Sequence, residues 1–386
     1  MMGWPLVPLS EVLQEVSDPV PVNPASKYSN LGLYSYARGV FKKPAIDGAQ
    51  TSAKTLYRVR AGRLIYSRLF AFEGAYAVVP EAMDGYFVSN EYPVFEHDAD
   101  RVSVGYLKWL LTEPAVWRAI ALGSKGLGVR RQRVHPAQVL TYRAPLPPLA
   151  EQQRIVARLD RVAGLVAARE RAVAAMEADM QAMLAKAFTR CVEAAPRRPM
   201  AEVAPLIRRP VEIQPDTDYT EIGVRSFYNG IFHRRTMPGS EFSWQDLFWI
   251  KEGDLVFSNL MAWEKAIAVA EAHDEGTVGN HRMLTCDVNP ELATPGFLLA
   301  YFHTPEGFAS VVGNSPGTIA RNKTLSSKKL PAIEVPVPPL ETQRWFDRLQ
   351  AKARRIRTIR AASARDADAL IPALLHEIFN GKAVAA

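Results

Sequence analysis

Cysteine is nearly absent: only Cys191 and Cys286 occur in 386 residues, and neither stands in a CxxC or Cys/His spacing. A disulfide framework and a structural zinc site are therefore not expected. Also missing is any run approaching the roughly 18 to 20 unbroken apolar residues of a membrane span, and Met1 to Ser10 has neither a basic n-region nor an apolar h-region. A soluble, unexported, cytoplasmic protein is the expectation. Signatures of chemistry are equally scarce. No glycine-rich cofactor loop follows a strand, and no phosphate loop with Gly-Lys-Ser/Thr occurs. The prolines of Pro147-Pro148 and Pro338-Pro339 run into leucine, where an adenine-methylating Asn/Asp-Pro-Pro motif needs an aromatic residue. Gly123-Ser124-Lys125-Gly126-Leu127-Gly128 has reversed glycine order after a predicted helix and reads as a turn. No acid stands two residues before any lysine, which removes the acidic-x-Lys nuclease signature. The seven histidines are scattered singly, so surface or core roles are expected of each, and no metal site. These absences argue against an enzyme, and no catalytic residue or cofactor is expected in this chain.

What is present is an ordinary globular composition, 48% hydrophobic and 23% charged, with a formal net charge of +7. A basic balance suits a polyanionic partner, but its distribution says more. From Gly123 to Arg143 there is no acid, while Lys125, Arg130, Arg131, Arg133 and Arg143 are present. From Gly313 to Ile333 there is again none, with Arg321, Lys323, Lys328 and Lys329.

These windows fall at the same place in an internal repeat. Tyr28 to Phe41 (YSNLGLYSYARGVF) lies over Tyr219 to Phe232 (YTEIGVRSFYNGIF) at an offset of 191 residues, with five of fourteen positions identical and five more closely similar. The same offset pairs Pro8–Val12 with Pro199–Val203, Gly62–Ala75 with Gly253–Ala266, and Gly105-Tyr106-Leu107 with Gly296-Phe297-Leu298. It also pairs the PLPPL at 145–149 with the PVPPL at 336–340, and Ala182–Phe188 with Ala373–Phe379. The chain is a duplicated module, each copy a globular part followed by a tail.

Within each globular part, Leu64–Ser67 and Leu255–Ser258 read as strands entered through a Gly turn, and residues 105–122 and 296–312 as apolar-faced helices. This is an α+β pattern. In the first tail apolar residues fall at Ile155, Leu159, Val162, Val166, Val173, Met176, Met180 and Met183, a heptad seam interrupted only by Arg169. The second tail gives Phe346, Leu349, Ala353, Ile356, Leu370 and Leu374, with Ser363 filling a seam position and Pro372 expected to kink the last turns. Two seams from one duplication favour helix-on-helix pairing. Because the first helix ends where the second globular part begins, pairing must be antiparallel, and a helix over 149–190 separates the globular parts by up to roughly 60 Å. The boundaries expected are 1–148, 149–195, 196–339 and 340–386.

The segments Pro145–Val156 (PLPPLAEQQRIV) and Pro336–Arg344 (PVPPLETQR) resemble the junction motif of the specificity subunits of Type I restriction-modification enzymes, in which a target-recognition domain runs through proline-proline-leucine and a glutamate-glutamine pair into a long helix. Gly62–Arg68 with its copy Gly253–Asn259, and the helix ends Leu184–Phe188 and Leu375–Phe379, resemble features of the same family. The second junction departs from the pattern, with Thr342 where the first has Gln152 and Trp345 for Ile155. The resemblance covers essentially the whole chain. It implies a non-catalytic subunit that binds double-stranded DNA, two copies of an adenine-N6 methyltransferase subunit and often motor-nuclease subunits, each recognition domain reading one half of a bipartite target. S-adenosylmethionine, and ATP with magnesium, are implied in the partners.

DNA affinity comes largely from Lys and Arg on phosphates, and sequence is read by Arg, Lys, Asn and Gln on base edges. The candidates in the first copy are Arg38, Lys42, Lys43, Arg68, Lys125, Arg130, Arg131 and Arg133. In the second they are Asn229, Arg234, Arg235, Asn259, Arg282, Arg321, Asn322 and Lys323. Residues 42–58 and 233–249 read as basic loops that differ between the copies, so different half-sites are expected. Trp109, Trp117, Phe297 and Phe302 sit at helical spacing and are assigned to the core. The alternatives are the specificity subunit of another bipartite restriction system with a fused nuclease-methylase, and a coiled-coil scaffold whose basic faces bind proteins.

Overall fold

The computed structural model describes residues 4–122, 133–242, 246–317 and 323–379. Contacts divide it into two compact units, one of Met1–Ala172 with Ala361–Ala386 and one of Val173–Arg360. Among the described residues no helix is long and apolar enough to cross a membrane.

The first unit contains strands β1 (Leu6–Pro8), β2 (Leu13–Val16), β3 (Pro19–Pro21), β4 (Lys27–Leu33), β5 (Val40–Asp47), β6 (Thr55–Arg58), β7 (Leu64–Tyr66), β8 (Tyr76–Val78), β9 (Phe87–Val88) and β10 (Val94–His97). Helices α1 (Val104–Leu110), α2 (Pro114–Ala121) and α3 (Pro136–Thr141), strand β11 (Arg143–Pro145) and the long helix α4 (Leu149–Val192) follow. The strands form a four-stranded sheet of order β2-β10-β7-β8, a five-stranded sheet of order β3-β6-β9-β4-β5, and a β1–β11 pair. The second unit repeats this: β12 (Arg197–Pro199), α5 (Met200–Val203), β13 (Leu206–Ile207), β14 (Asp218–Val224), β15 (Ile231–Pro238), β16 (Leu247–Trp249), β17 (Leu255–Ser258), β18 (Ile267–Val269), β19 (Val278–Asn280), β20 (Met283–Cys286), α6 (Pro295–His303), α7 (Pro305–Gly313), β21 (Glu334–Pro336) and α8 (Leu340–Phe379). Its sheets have the orders β13-β20-β17-β18 and β15-β14-β19-β16. The partner of β3 survives only as an isolated bridge between Pro210 and Phe248.

The stretches 105–122 and 296–312, each expected as one helix, are each two. Pro114 and Pro305 sit at first helical positions, where a missing N–H costs nothing but the preceding helix cannot continue. Glu113 and Thr304 cap the new starts. Trp109, Trp117, Phe297 and Phe302 are all buried.

In the first unit the early part of α4 pairs with the late part of α8. Arg158 meets Glu377 and Arg169 donates to Ser363 Oγ at 2.7 Å, so residue numbers run in opposite senses. The two residues that interrupt the seams therefore satisfy each other. In the second unit Glu177 Oε1 accepts from both Nε and Nη2 of Arg357, at 3.0 and 2.7 Å, and Phe188 packs on Phe346. The expected seam is displaced: Ile155, Leu159, Met180, Phe346 and Ala353 are buried, but Met176, Met183, Ile356 and Leu370 are exposed. A straight helix drifts about 20° per heptad from a 3.5-residue repeat, so over five or six heptads the buried stripe moves off the letters that opened it.

Each long helix ends in a core. Leu375, Ile378 and Phe379 of α8 join Tyr66, Phe95, Tyr106 and Ile155. Phe188 and Cys191 of α4 join Phe257, Phe297, Phe302 and Phe346. Phe188 and Phe379 are the same position of the repeat, each burying a side chain worth about 2 to 3 kcal/mol of transfer free energy.

Candidate nucleic-acid interface

The two longest matching blocks of the repeat are the two sides of one docking. In the first copy the tip of the β4–β5 hairpin carries Tyr36 and Ala37 at φ of 62° and 51°, and in the second Phe227 and Tyr228 stand at 59° and 57°. Consecutive non-glycine residues in the left-handed region cost on the order of 1 to 3 kcal/mol each and persist only where neighbours over-determine them. Here Tyr36 N and Ala37 N donate to the carbonyls of Glu73 and Gly74, and Phe227 N and Tyr228 N to those of Glu264 and Lys265, all within 2.7–2.9 Å. Ser35 Oγ adds a bond to the Glu73 carboxylate, and Ser226 Oγ one to Glu264. Gly39 and Gly230, at φ of 87° and 79°, bring the chain back into β5 and β15.

This clamp presents side chains to solvent. Tyr34, Tyr36 and Phe227 are 44%, 63% and 69% exposed, high values for large aromatic groups on a tightly held backbone. Arg38 is exposed at the first tip, its guanidinium carbon 5.4 and 5.9 Å from the rings of Tyr34 and Tyr36, and its Nε donates to Ser35 O. Asn229, the matching residue, is exposed and donates to Ser226 O at 2.9 Å. Arg225, matching Tyr34, lies over Phe232. The second tip is tied down further: Tyr228 Oη donates to Phe302 O, and its ring lies 3.7 Å from that of His303. Burial there raises the Tyr228 phenol and lowers the His303 imidazole to about 4, with Lys265 adding to the latter.

The segments read as basic loops, 42–58 and 233–249, are largely strands of these hairpins, because their residues pair in register with β4, β9, β14 and β19. Lys42 is exposed on β5, and Lys43 is half-buried, its ammonium 3.1 Å from Tyr92 Oη. Arg234 and Arg235 are exposed on β15 but face the buried carboxylate of Glu221, at 3.9 and 3.0 Å, which also accepts from Asn280 at 2.8 Å.

Below the hairpins the remaining candidates gather around one backbone pattern. Arg68 N donates to Glu91 O and Val134 N to Arg68 O; Asn259 N donates to Arg282 O and Leu325 N to Asn259 O. This assembles Arg68 and Arg133 in the first copy, and Asn259, Arg282 and Lys323 in the second. Arg133 pairs with Glu91 at 3.2 Å. Among the described residues, Arg68 Nε and Asn259 Oδ1, at the same repeat position, are buried with no hydrogen-bond partner. Lys125, Arg130, Arg131, Arg321 and Asn322 lie outside the described residues.

Beside Arg68 opens a cavity of about 540 Å³ lined by Ser17, Asp18, Arg58, Arg60, Arg63, Asn90 and Tyr92 among others. In the second copy Arg208 stands where the first has Ser17, and donates to the carbonyls of His281 and Met283, the counterparts of Asn90 and Tyr92. Arg209 and Asp254 stand where the first copy has Asp18 and Arg63, and form a bidentate pair at 2.6 and 3.0 Å. Sequence reasoning missed Tyr34, Tyr36, Phe227, Arg58, Arg60 and Arg63. Left-handed non-glycine residues carry no letter code, but the three arginines stand with Lys54 and Arg68 in a stretch free of acids, Gly48 to Phe72, and that window is a signal that could have found them.

The junction motif has a mechanical explanation. Gln152 and Gln343 are fully buried at the starts of α4 and α8. Gln152 Oε1 accepts from Ser103 N and its Nε2 donates to Arg101 O and Pro147 O. Gln343 repeats all three bonds with Thr294 N, Leu292 O and Pro338 O. The counterpart of Gln152 is thus Gln343, not Thr342, and that of Ile155 is the buried Phe346, not Trp345. The second junction keeps the glutamine and the buried apolar residue it was expected to lose, and departs from the first at Thr342, in the place of Glu151.

No protein-family model matches the chain, and no curated protein matches it. Solved structures do. The HsdS subunit from Thermoanaerobacter tengcongensis is 20% identical, with a TM-score of 0.60 over 98% of this chain and 97% of that one. A chain from a type I R-M system, solved for its complex assembly and conformational transition, is 21% identical with a TM-score of 0.69 over 98% of both. The chain thus has, along nearly its whole length, the fold of the HsdS specificity subunits of Type I restriction-modification systems.

Proposed function

We propose that this protein is the DNA-specificity subunit of a Type I restriction-modification complex, with residues 1–148 and 196–339 each reading one half of a bipartite target. The observation that carries this reading is the pair of clamped hairpin tips: one backbone held twice by the same bonds, bearing Tyr34, Tyr36 and Arg38 in one copy and Arg225, Phe227 and Asn229 in the other. A rigid scaffold with divergent polar and aromatic tips suits two different sequences. Arg, Lys and Asn reach base edges and phosphates, and exposed aromatic rings give flat apolar surface beside them.

Methyl transfer and DNA translocation belong to partner subunits, two adenine-N6 methyltransferases and motor-nucleases, which bring S-adenosylmethionine and ATP with magnesium. The long helices offer docking surface. Exposed Met176, Met183, Ile356 and Ile359 in the second unit, and Leu165 and Leu370 in the first, are apolar groups that pay a solvation cost until covered.

The test is mapping of methylated adenines in cells with and without this chain, then with residues 1–148 exchanged for another recognition domain. One half of the target should change and the other should stay. A change in both halves, or methylation by the purified chain alone, would overturn the reading.

A further inference from the structure

Two histidines that look solitary in the sequence converge on one buried carboxylate. His233 lies on β15, while His273 and Asp274 lie in the short helical turn Ala272–Asp274, 41 residues after His233 in the case of Asp274. His233 Nε2 is 3.0 Å from Asp274 Oδ1, and His273 Nε2 is 3.5 Å from the same oxygen. Donor atoms of all three residues lie within 4.8 Å of one another.

Asp274 is 1% exposed and rigidly oriented. Its Oδ2 accepts from Glu271 N at 2.9 Å, its N–H donates to Glu271 O, and its carbonyl accepts from Thr277 Oγ1. Both imidazoles are exposed, leaving the side of the cluster away from Asp274 open to solvent. Glu271 Oε2 stands 3.7 Å from His273 Nδ1, where a carboxylate orients a ligating imidazole and favours coordination through Nε2.

We propose that His233, His273 and Asp274 form a binding site for a divalent transition-metal ion of zinc type, completed by water. Two imidazoles and one carboxylate make a donor set that zinc favours, with the fourth position open. In a tetrahedral site with bonds near 2.0 to 2.1 Å the ligand atoms stand about 3.3 Å apart. The two His–Asp distances already bracket that value, and the third closes by rotation of the exposed His273 ring. Two imidazole nitrogens thus converge on a single carboxylate oxygen, at 3.0 and 3.5 Å, and an ion supplies positive charge at that point of convergence. The site belongs to the second copy alone, since Lys42, Ala82 and Met83 occupy the matching positions of the first. Its effect is to pin the recognition strand β15 to the turn at 272–274.

The experiment is titration of untagged, chelator-stripped full-length chain with Zn²⁺ by calorimetry, and with Co²⁺ by visible absorption. One ion per chain is expected, with d–d bands of a nitrogen- and oxygen-ligated low-coordinate ion that Zn²⁺ abolishes. His233→Ala and His273→Ala should each weaken binding at least tenfold, and His97→Ala, in the other copy, should leave it unchanged. Both site histidines are exposed, so these variants fold; Asp274→Asn extends the series where its circular dichroism matches wild type. Equal affinity in wild type and the His233→Ala/His273→Ala double variant, or no saturable binding at millimolar Zn²⁺, would overturn the proposal.

Discussion

The two copies share a frame and differ in what fills it. Gln152 and Gln343 make the same three bonds, and Gly105 and Gly296 let α1 and α6 approach the long helices, where an added Cβ would stand 3.1 Å from Val156 and 2.7 Å from Asp347. All these contacts are directed at backbone or depend on its closeness. The side chains near the hairpins instead trade places: an open, arginine-lined cavity in the first copy is, in the second, the place of Arg208 and of the Arg209–Asp254 pair. Asp18 and Arg63, the same two positions with charges exchanged, pair elsewhere, with Arg60 and with Glu96. A duplicated module can therefore keep its architecture through backbone-directed bonds while its surface chemistry diverges.

Breaking the ion pair should give the largest contrast. Asp254 is 1% exposed, so Arg209→Ala strands a buried carboxylate and should cost about 3 to 5 kcal/mol, whereas Asp18→Ala, at a site 45% exposed, should cost less than about 1 kcal/mol. Denaturant titration of the full chain measures both, and equal losses would dissolve the contrast.

The shared frame predicts equality instead. Gln152→Ala and Gln343→Ala each leave one N–H and two carbonyls without their partner, and each should destabilise its own unit by about 2 to 4 kcal/mol. Hydrogen exchange at Ser103 and Thr294 amides reports each unit separately. A loss in only one copy would mean the junctions are not equivalent.

At the tips, Arg38→Ala should lower affinity for one half-site by about 1 to 3 kcal/mol and Phe227→Ala or Asn229→Ala for the other. Competition binding with duplexes altered in one half at a time checks this, and a variant that weakens both halves equally would break the one-domain, one-half-site assignment.

The smallest effect is a pH dependence confined to the second unit. The His303 imidazole is held at about 4 by burial against Tyr228 and by Lys265, below its unfolded value near 6.5. The unfolded chain therefore takes up the proton first. The stability contribution is complete above pH 6.5 and is lost as pH falls toward 4. Part of the residue remains exposed, so the loss should stay under about 1 kcal/mol. Thermal melts across this window should show a slope that His303→Gln removes; Thr112 holds the matching position in the first copy.

Legibility differed from one element to the next. The strands at Leu64–Tyr66 and Leu255–Ser258 and the non-helical prolines before α4 and α8 were readable because a Gly turn, a short apolar run or a proline acts locally. The one-residue slip at the second junction arose because Glu-Gln-Gln-Arg offers two adjacent glutamines to match; only the bonds to Leu292, Thr294 and Pro338 distinguish them. The exposed Ile356 and Leu370 were misplaced because seam position depends on how two helices wrap, which neither sequence contains alone.

By itself, then, the sequence determined the duplication, the α+β content and the two long helices, since repeats, turns and apolar periodicity are properties of neighbours along the chain. The strained tips at Tyr36-Ala37 and Phe227-Tyr228, the exchange of a cavity for the Arg209–Asp254 pair, and the meeting of His233 with His273 and Asp274 were decided only by tertiary structure. Each depends on groups tens of residues apart becoming neighbours, and on the desolvation and geometry that proximity imposes.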